Sequence, residues 1–300
     1  MRFDWYQCTI EEKNPHVVIS ALEQLGHEVR ASPNKAKAWR YTQGWDIHHK
    51  ESGVVATVLH GGNGENVHAL ATSDPAEAFS DVVRACWPTR HLVTRCDAAE
   101  DFNDPTAYRR LCRVGKRIAK AKGLAFTSIE DRLDRYAGRT QYIGSPKSDY
   151  RCRIYEKGFE QARKLAYLLE KQGVDVYSSG APSVLNMDTG EYIPAENWVR
   201  TELQVRARQE EGRRRLAQLT PEQCWSVSPW AVEFAREALT LDLEREVIRS
   251  RKMNSDDKSF YWMCGQYGDL LIRCAEKEPR GWEGLALRIR NVVLDQRRIN

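Results

Sequence analysis

Ser145-Pro146-Lys147-Ser148-Asp149-Tyr150-Arg151-Cys152-Arg153-Ile154-Tyr155-Glu156-Lys157 reads as a turn feeding a strand. Pro146 fixes its own φ, while Ser148 and Asp149 offer side-chain oxygens to nearby backbone amides. From Tyr150 the period becomes two. Tyr150, Cys152 and Ile154 point one way; Arg151, Arg153, Tyr155 and Lys157 point the other. A solvated face with cation–π packing is one reading of a tyrosine among cations. A phenol that meets a phosphate is another. Cations near the ring oxygen would favour phenolate over phenol and attract a substrate's anionic oxygens.

Two more strands carry chemistry. His91 to Phe102 places Arg95, Asp97, Ala99 and Asp101 on one face, with Thr94, Cys96, Ala98 and Glu100 opposite. Carboxylates four residues apart on a strand sit roughly 13 Å apart, so a shared ion needs a bend or bulge. Small Ala99 between them leaves room for a ligand. Asn197 to Arg206 sets Val199, Leu203 and Val205 against Arg200, Glu202, Gln204 and Arg206.

Elsewhere residues 2–11 alternate as a first strand, and Asn14-Pro15 opens a helix to about Leu25. Short strands are expected at Trp39–Tyr41, Trp45–His49, Val54–His60 and Val67–Leu70, with Gly61-Gly62-Asn63-Gly64 as a hairpin turn. That turn lacks the Gly-Lys-Ser/Thr and helix of a phosphate loop. His48 and His49 are adjacent, so on a strand they face opposite ways and do not readily share an ion. Helices are predicted from Ser73-Asp74-Pro75 to Cys86, from Asp104-Pro105 to Lys122, and from Phe159 to Lys171. The chain then reads as helical from Glu210, with an N-cap at Thr220 and helices near 228–248, 256–277 and 281–296. A boundary near 207–220 divides residues 1–207, an α+β antiparallel sheet with packed helices, from a helical C-terminal region, 208–300.

Composition narrows the classes. With 300 residues, 41% hydrophobic and 29% charged, the chain can bury real cores. No run approaches the roughly 18 apolar residues of a membrane span. The acid at Asp4 and the lack of an apolar stretch after it give the expectation of a cytoplasmic protein without a secretory leader. Eight cysteines without a Cys-x-x-Cys pair argue for free thiols rather than zinc. Net charge is only +4, but the cations cluster: Arg113 to Lys122, Arg206 to Arg215, and Arg288 to Arg298. Such runs are solvated helix faces or, when they bracket an acidic site, a grip on a polyanion.

Four segments in order resemble the rolling-circle replication initiators of plasmids and filamentous phages, the Rep_trans-type family. They are Thr94 to Asp101, Gln141 to Asp149, Arg153-Ile154-Tyr155-Glu156-Lys157, and Trp198 to Gln204. The likeness covers about residues 90–206 well, the N-terminal part loosely and the helical tail not at all. It implies a nuclease-like α+β fold of the HUH type, here without the His-hydrophobe-His motif. By that resemblance Tyr155 is the nicking nucleophile, helped by Arg153 and Lys157. Asp97, Asp101 and Glu202 become the candidates to hold Mg²⁺ or Mn²⁺, which would polarise the scissile phosphate. Arg95, Lys147, Arg151, Arg200, Gln204 and Arg206 become DNA contacts, with Arg95 and Arg200 alternatively orienting the carboxylates. Two positions depart from the family: Gln204 stands where plasmid members often carry a second acid, and Glu100 where an apolar residue is commoner.

The resemblance implies a nick at a single-stranded or hairpin origin that leaves a 5′-phosphotyrosyl link and a free 3′-OH, later rejoined. Host helicase and polymerase are the implied partners, and a homodimer is compatible. Three rivals stay open at this level: a DNA-binding regulator of the same fold, a relaxase or transposase using the same tyrosine, and a hydrolase in which water attacks.

Overall fold

The structure, a computed structural model, describes residues 1–299 apart from 132, 135, 136, 172–181, 186–189 and 247–254. It is α+β, built on one ten-stranded sheet in which every neighbouring pair is antiparallel.

Strand β1 (Arg2–Ile10) leads to α1 (Pro15–Leu22), whose Asn14 cap accepts from His16 N and whose first residue is proline. Then come β2 (Glu28–Ala31), α2 (Pro33–Ala38), β3 (Gln43–His49), β4 (Gly53–His60) and β5 (Val67–Thr72). Helix α3 (Pro75–Cys86), β6 (His91–Asn103) and α4 (Ala107–Lys122) follow, and α4 ends at Gly123 with φ 63°. The next elements are β7 (Phe126–Glu130), β8 (Arg139–Ile143), β9 (Tyr150–Glu156) and α5 (Lys157–Glu170). A short pair, β10 (Ser183–Leu185) and β11 (Tyr192–Pro194), precedes β12 (Trp198–Arg206). Helices α6 (Glu210–Leu216), α7 (Pro221–Cys224) and α8 (Pro229–Ala238) come next, then α9 (Ser255–Lys277) and α10 (Gly281–Ile299). Thr220 forms the expected cap as a full capping box with Gln223.

Four local expectations change. Trp39–Tyr41 is not a strand, because Ser32-Pro33 starts a helix just upstream and Trp39 ends it. Strand β7 was not expected. Lys157 opens α5 instead of ending the strand. The helix from Pro229 stops at Ala238, well short of 248, and residues 247–248 lie outside the described residues.

Strand order is β2-β3-β4-β5-β1-β6-β12-β9-β8-β7. One face is apolar. Cys96 and Ala98 of β6, Cys152 and Ile154 of β9, and Val199, Leu203 and Val205 of β12 are buried there. Leu22, Phe79, Leu111, Leu216, Trp225 and Phe234 pack onto them from α1, α3, α4, α6–α8 and the turn between α7 and α8. Each large side chain so buried stabilises the fold by about 1.5–3 kcal/mol. The opposite face is partly covered. Helix α2 lies over β3, and α5 packs with β10, β11 and Trp198 through Phe159, Ala162, Val184 and Ile193. Gly158 permits that second contact, since a Cβ there would stand 2.1 Å from Ala195 O.

Contacts divide the chain into two compact units, Met1–Ser250 and Arg251–Asn300. The change from sheet to helices near 207–220 is present, and α6–α8 lie within the first unit on the sheet's core. The second unit is the pair α9 and α10, packed together with Ala275 and Leu285 buried and Arg288 bonded to Glu278 at 3.1 Å.

Candidate active site

Register aligns the polar faces of the central strands into rows. Arg206 of β12 faces Arg95 of β6, which faces Gln7 of β1. The next row runs Arg151, Gln204, Asp97, Trp5, Thr72 across β9, β12, β6, β1 and β5. The third runs Tyr142, Arg153, Glu202, Ala99 and the fourth Tyr155, Arg200, Asp101. A cavity of about 510 Å³ opens on these rows, lined by Asp4, Trp5, Arg95, Asp97, Tyr142, Arg151, Arg153, Tyr155, Lys157, Glu160, Glu202 and Gln204, with Thr72 and Ser73.

At its floor, the Tyr155 hydroxyl donates to Glu202 Oε1 at 2.6 Å. Arg153 donates to Glu202 Oε2 through Nη2 at 2.6 Å and Nε at 3.1 Å. The same guanidinium sits 4.2 Å from the Tyr155 ring centroid, and Lys157 Nζ 5.7 Å from it. Lys157 is buried and bonds Glu160 at 2.8 Å. Burial and the adjacent Glu202 carboxylate hold the Tyr155 phenol well above its usual range, although Arg153 and Arg200 pull the other way. This reverses the expected preference for phenolate: the cations spend their charge on carboxylates, and the ring oxygen meets a carboxylate first. Burial likewise raises Glu202 above the ordinary glutamate value, with Arg153 opposing. A raised carboxyl group is a stronger base for the phenol proton.

The three acids expected to hold a cation do not assemble. Asp101 accepts from Arg200 Nη2 at 2.6 Å, Arg200 Nε at 2.7 Å and Trp198 Nε1 at 2.8 Å, and it does not line the cavity. Burial would raise Asp101, but Arg200 outweighs it and holds the carboxyl below its usual range. Asp97 is gripped by Arg95 through two bonds, at 2.9 and 2.6 Å, and Glu202 by Arg153 and Tyr155. Among the described residues no group of three or more His, Cys, Asp or Glu side chains could hold a metal ion. Asp97, Asp101 and Glu202 therefore do not fit a shared Mg²⁺ or Mn²⁺, and no step below runs through one.

Arg200 takes one of its two expected roles, holding carboxylates. It is 1% exposed, bonded to Asp101 and to Asp4 Oδ1 at 2.6 Å, so it is an internal clamp and not a DNA contact. Arg95, Arg151 and Gln204 do reach the cavity. Arg151 lies 3.8 Å over the Tyr142 ring. Arg206 bonds Pro146 O at 3.3 Å, and burial together with neighbouring Arg95, Arg151 and Arg208 lowers its affinity for its own proton. Like charges gathered in this way favour an anion. Lys147 is exposed in the turn before β9, outside the cavity lining. His48, His49 and His60 do not line the cavity either.

Asp4, Trp5 and Tyr142 are the residues that strand reading missed. The register of β1 slips between Phe3 and Trp5, so Phe3 and Tyr6, three apart, both enter the core while Asp4 and Trp5 both face the cavity. A bulge re-aims side chains in this way. Its signal is the spacing of apolar Phe3 and Tyr6, which breaks the period of two.

No family model matches the chain, and no curated protein matches it. Among solved structures, the chain is similar to the rolling circle replication initiator protein from Geobacillus stearothermophilus, at 18% identity and a TM-score of 0.47. The alignment covers 85% of this chain and 89% of that one. The likeness assigns no role to any residue. No helix among the described residues is long and apolar enough to cross a membrane.

Proposed function

We propose that the protein nicks single-stranded DNA through Tyr155 and serves as an initiator of rolling-circle replication. One observation carries this reading: a buried tyrosine hydroxyl bonded to a carboxylate, itself held by an arginine, in a cavity that Arg95, Arg151 and Lys157 also line. The four segments shared with the initiator family support the choice of substrate.

The chemistry balances within the chain's own groups. Glu202 takes the phenol proton as Tyr155 Oη bonds the phosphorus in line with the 3′-oxygen. That oxygen leaves with the bonding electron pair and picks up a proton, for which the Lys157 ammonium is a donor at the site. Arg153, already fixed by Glu202, faces the phosphoryl oxygens, with Arg151 and Arg95 beyond it for the neighbouring phosphates. The product is a 5′-phosphotyrosyl link with a free 3′-OH, and reversal with another 3′-OH rejoins a strand. A side chain conserves the bond energy that water would dissipate.

The test is a covalent trap. Labelled single-stranded segments of the cognate replicon are incubated with wild type and Tyr155→Phe and run on a denaturing protein gel. A labelled adduct with wild type only supports the reading. Cleavage without adduct moves the site to attack by water, and tight binding without cleavage marks a DNA-binding regulator. Parallel reactions in Mg²⁺, Mn²⁺ and chelator measure any cation requirement separately.

A further inference from the structure

We propose that a second cavity beside Tyr155's is a nucleobase subsite, in which an unpaired base of the bound strand stacks against Trp5 and Trp39. This deepens the reading of the site as one for single-stranded DNA and rests on it.

The second cavity, of about 330 Å³, is lined by Trp5, Lys35, Trp39, Thr57 and Leu70 among others, and it shares Trp5 and Thr72 with the first. The two adjoin at Trp5 and Thr72, at the end of the row that runs from Arg151 through Gln204 and Asp97 to Trp5. Trp5 already carries one flat partner, since Arg95 lies 3.9 Å from its ring centroid. Trp39 is set over the sheet by α2, and α2 is stapled there. Lys35 Nζ bonds Asp46 Oδ1 at 2.7 Å and Thr57 Oγ1 at 3.1 Å. Ala36, Leu59 and Leu70 pack beneath Trp39 as an apolar floor.

Most of the polar groups here are engaged. Asp46 is held by Lys35 and Thr57, and Trp5 Nε1 donates to Gln7 at 3.2 Å. What remains is aromatic and apolar surface, which fits the π-face of any base and reads no sequence. Phosphates are provided for elsewhere, by Arg95, Arg151 and Arg206. Trp5's strand lies three strand spacings, about 14 Å, from Tyr155's, so the stacked base belongs to a different nucleotide from the one attacked.

The experiment compares the intact protein's affinity for oligo-dT and for a base-free strand of equal length, about sixteen nucleotides, at one fixed ionic strength. Fluorescence anisotropy is read for wild type, Trp39→Ala and Trp39→Tyr. Wild type is expected to prefer oligo-dT by about tenfold or more, the size of one stacking contact. Trp39→Ala should lose most of that preference while holding the base-free strand as before, and Trp39→Tyr should keep it. A misfolded Trp39→Ala protein would lose both strands, and the tyrosine variant then decides. Equal binding of both strands by wild type overturns the subsite, as does an undiminished preference in Trp39→Ala or a tyrosine variant no better than alanine. Wild type that binds neither strand overturns the subsite and the reaction together. A base preference that depends on Trp39, without any adduct at Tyr155, supports the subsite and removes only the reaction.

Discussion

Tyr155 and Glu202 lie on neighbouring strands and share a hydrogen bond of 2.6 Å in which the phenol is the donor. The pair is diagonal in register, because Tyr155 faces Arg200 directly and Glu202 faces Arg153. The carboxylate thus has one oxygen for the phenol and one for the guanidinium. This division holds the Glu202 carboxylate in place, and the carboxylate together with burial keeps the Tyr155 phenol above its usual range.

Replacing Glu202 with Gln keeps the shape and removes the proton acceptor. Adduct formation is expected to fall by about 10²–10⁴-fold, the usual contribution of a positioned base. In wild type the rate should climb with pH as Glu202 loses its proton, with a midpoint above the ordinary glutamate value of about 4.3, because burial disfavours the carboxylate. A rate–pH profile with that rise unchanged in the Gln variant would remove Glu202 from the reaction.

Asp101 is the partner of a buried arginine. Asp101→Ala leaves Arg200 with Asp4 alone and is expected to cost about 3 kcal/mol of stability, read as a lower Tm or denaturation midpoint. Raising Mg²⁺ or Mn²⁺ is not expected to rescue the variant's reaction. Rescue would return Asp101 to the role of cation ligand.

His68 is buried and stays neutral, with burial and then Arg213 lowering its pKa to about 4 from the usual 6.5. The unfolded chain therefore takes up a proton near pH 6.5 that the folded chain refuses until about pH 4. Stability from this group is complete above pH 6.5 and drains away as pH falls toward 4, by up to about 3 kcal/mol. Denaturation at pH 7 and 4.5 should show a smaller loss for His68→Gln than for wild type.

Gly158→Ala places a Cβ against Ala195 O, where no flexible side chain can yield. A destabilisation of about 1–3 kcal/mol is expected from this overpacking. Since Lys157 precedes Gly158 on the same helix start, adduct formation should fall along with the melting temperature. A variant as stable and as active as wild type would place α5 further from Ala195.

The alternation of β6, β9 and β12 was legible strand by strand: Tyr155 with Arg153, Asp97 with Arg95 and Asp101, Glu202 with Arg200 and Gln204. What it could not give was register between strands, and register decides that Asp101 meets Arg200 while Glu202 meets Arg153. Periodicity also cannot show who neutralises whom, so the phenol was expected to lose its proton more easily where it holds it more firmly. Asp4 and Trp5 were hidden by a bulge. Helix α2 has a readable start in Ser32-Pro33, but Trp39 and Tyr41, two apart, carry the spacing and residue types of a strand.

Strand β12 lies between β6 and β9 in the sheet, and among the described residues it is the last of the sheet's strands in chain order. During synthesis, everything up to Lys157 can emerge from the ribosome while Tyr155 still has neither Glu202 beside it nor Asp97 within reach. Premature termination ahead of residue 198 yields fragments that carry Tyr155 without Glu202. The pairing of Tyr155 with Glu202 thus comes into being among the last acts of building the sheet.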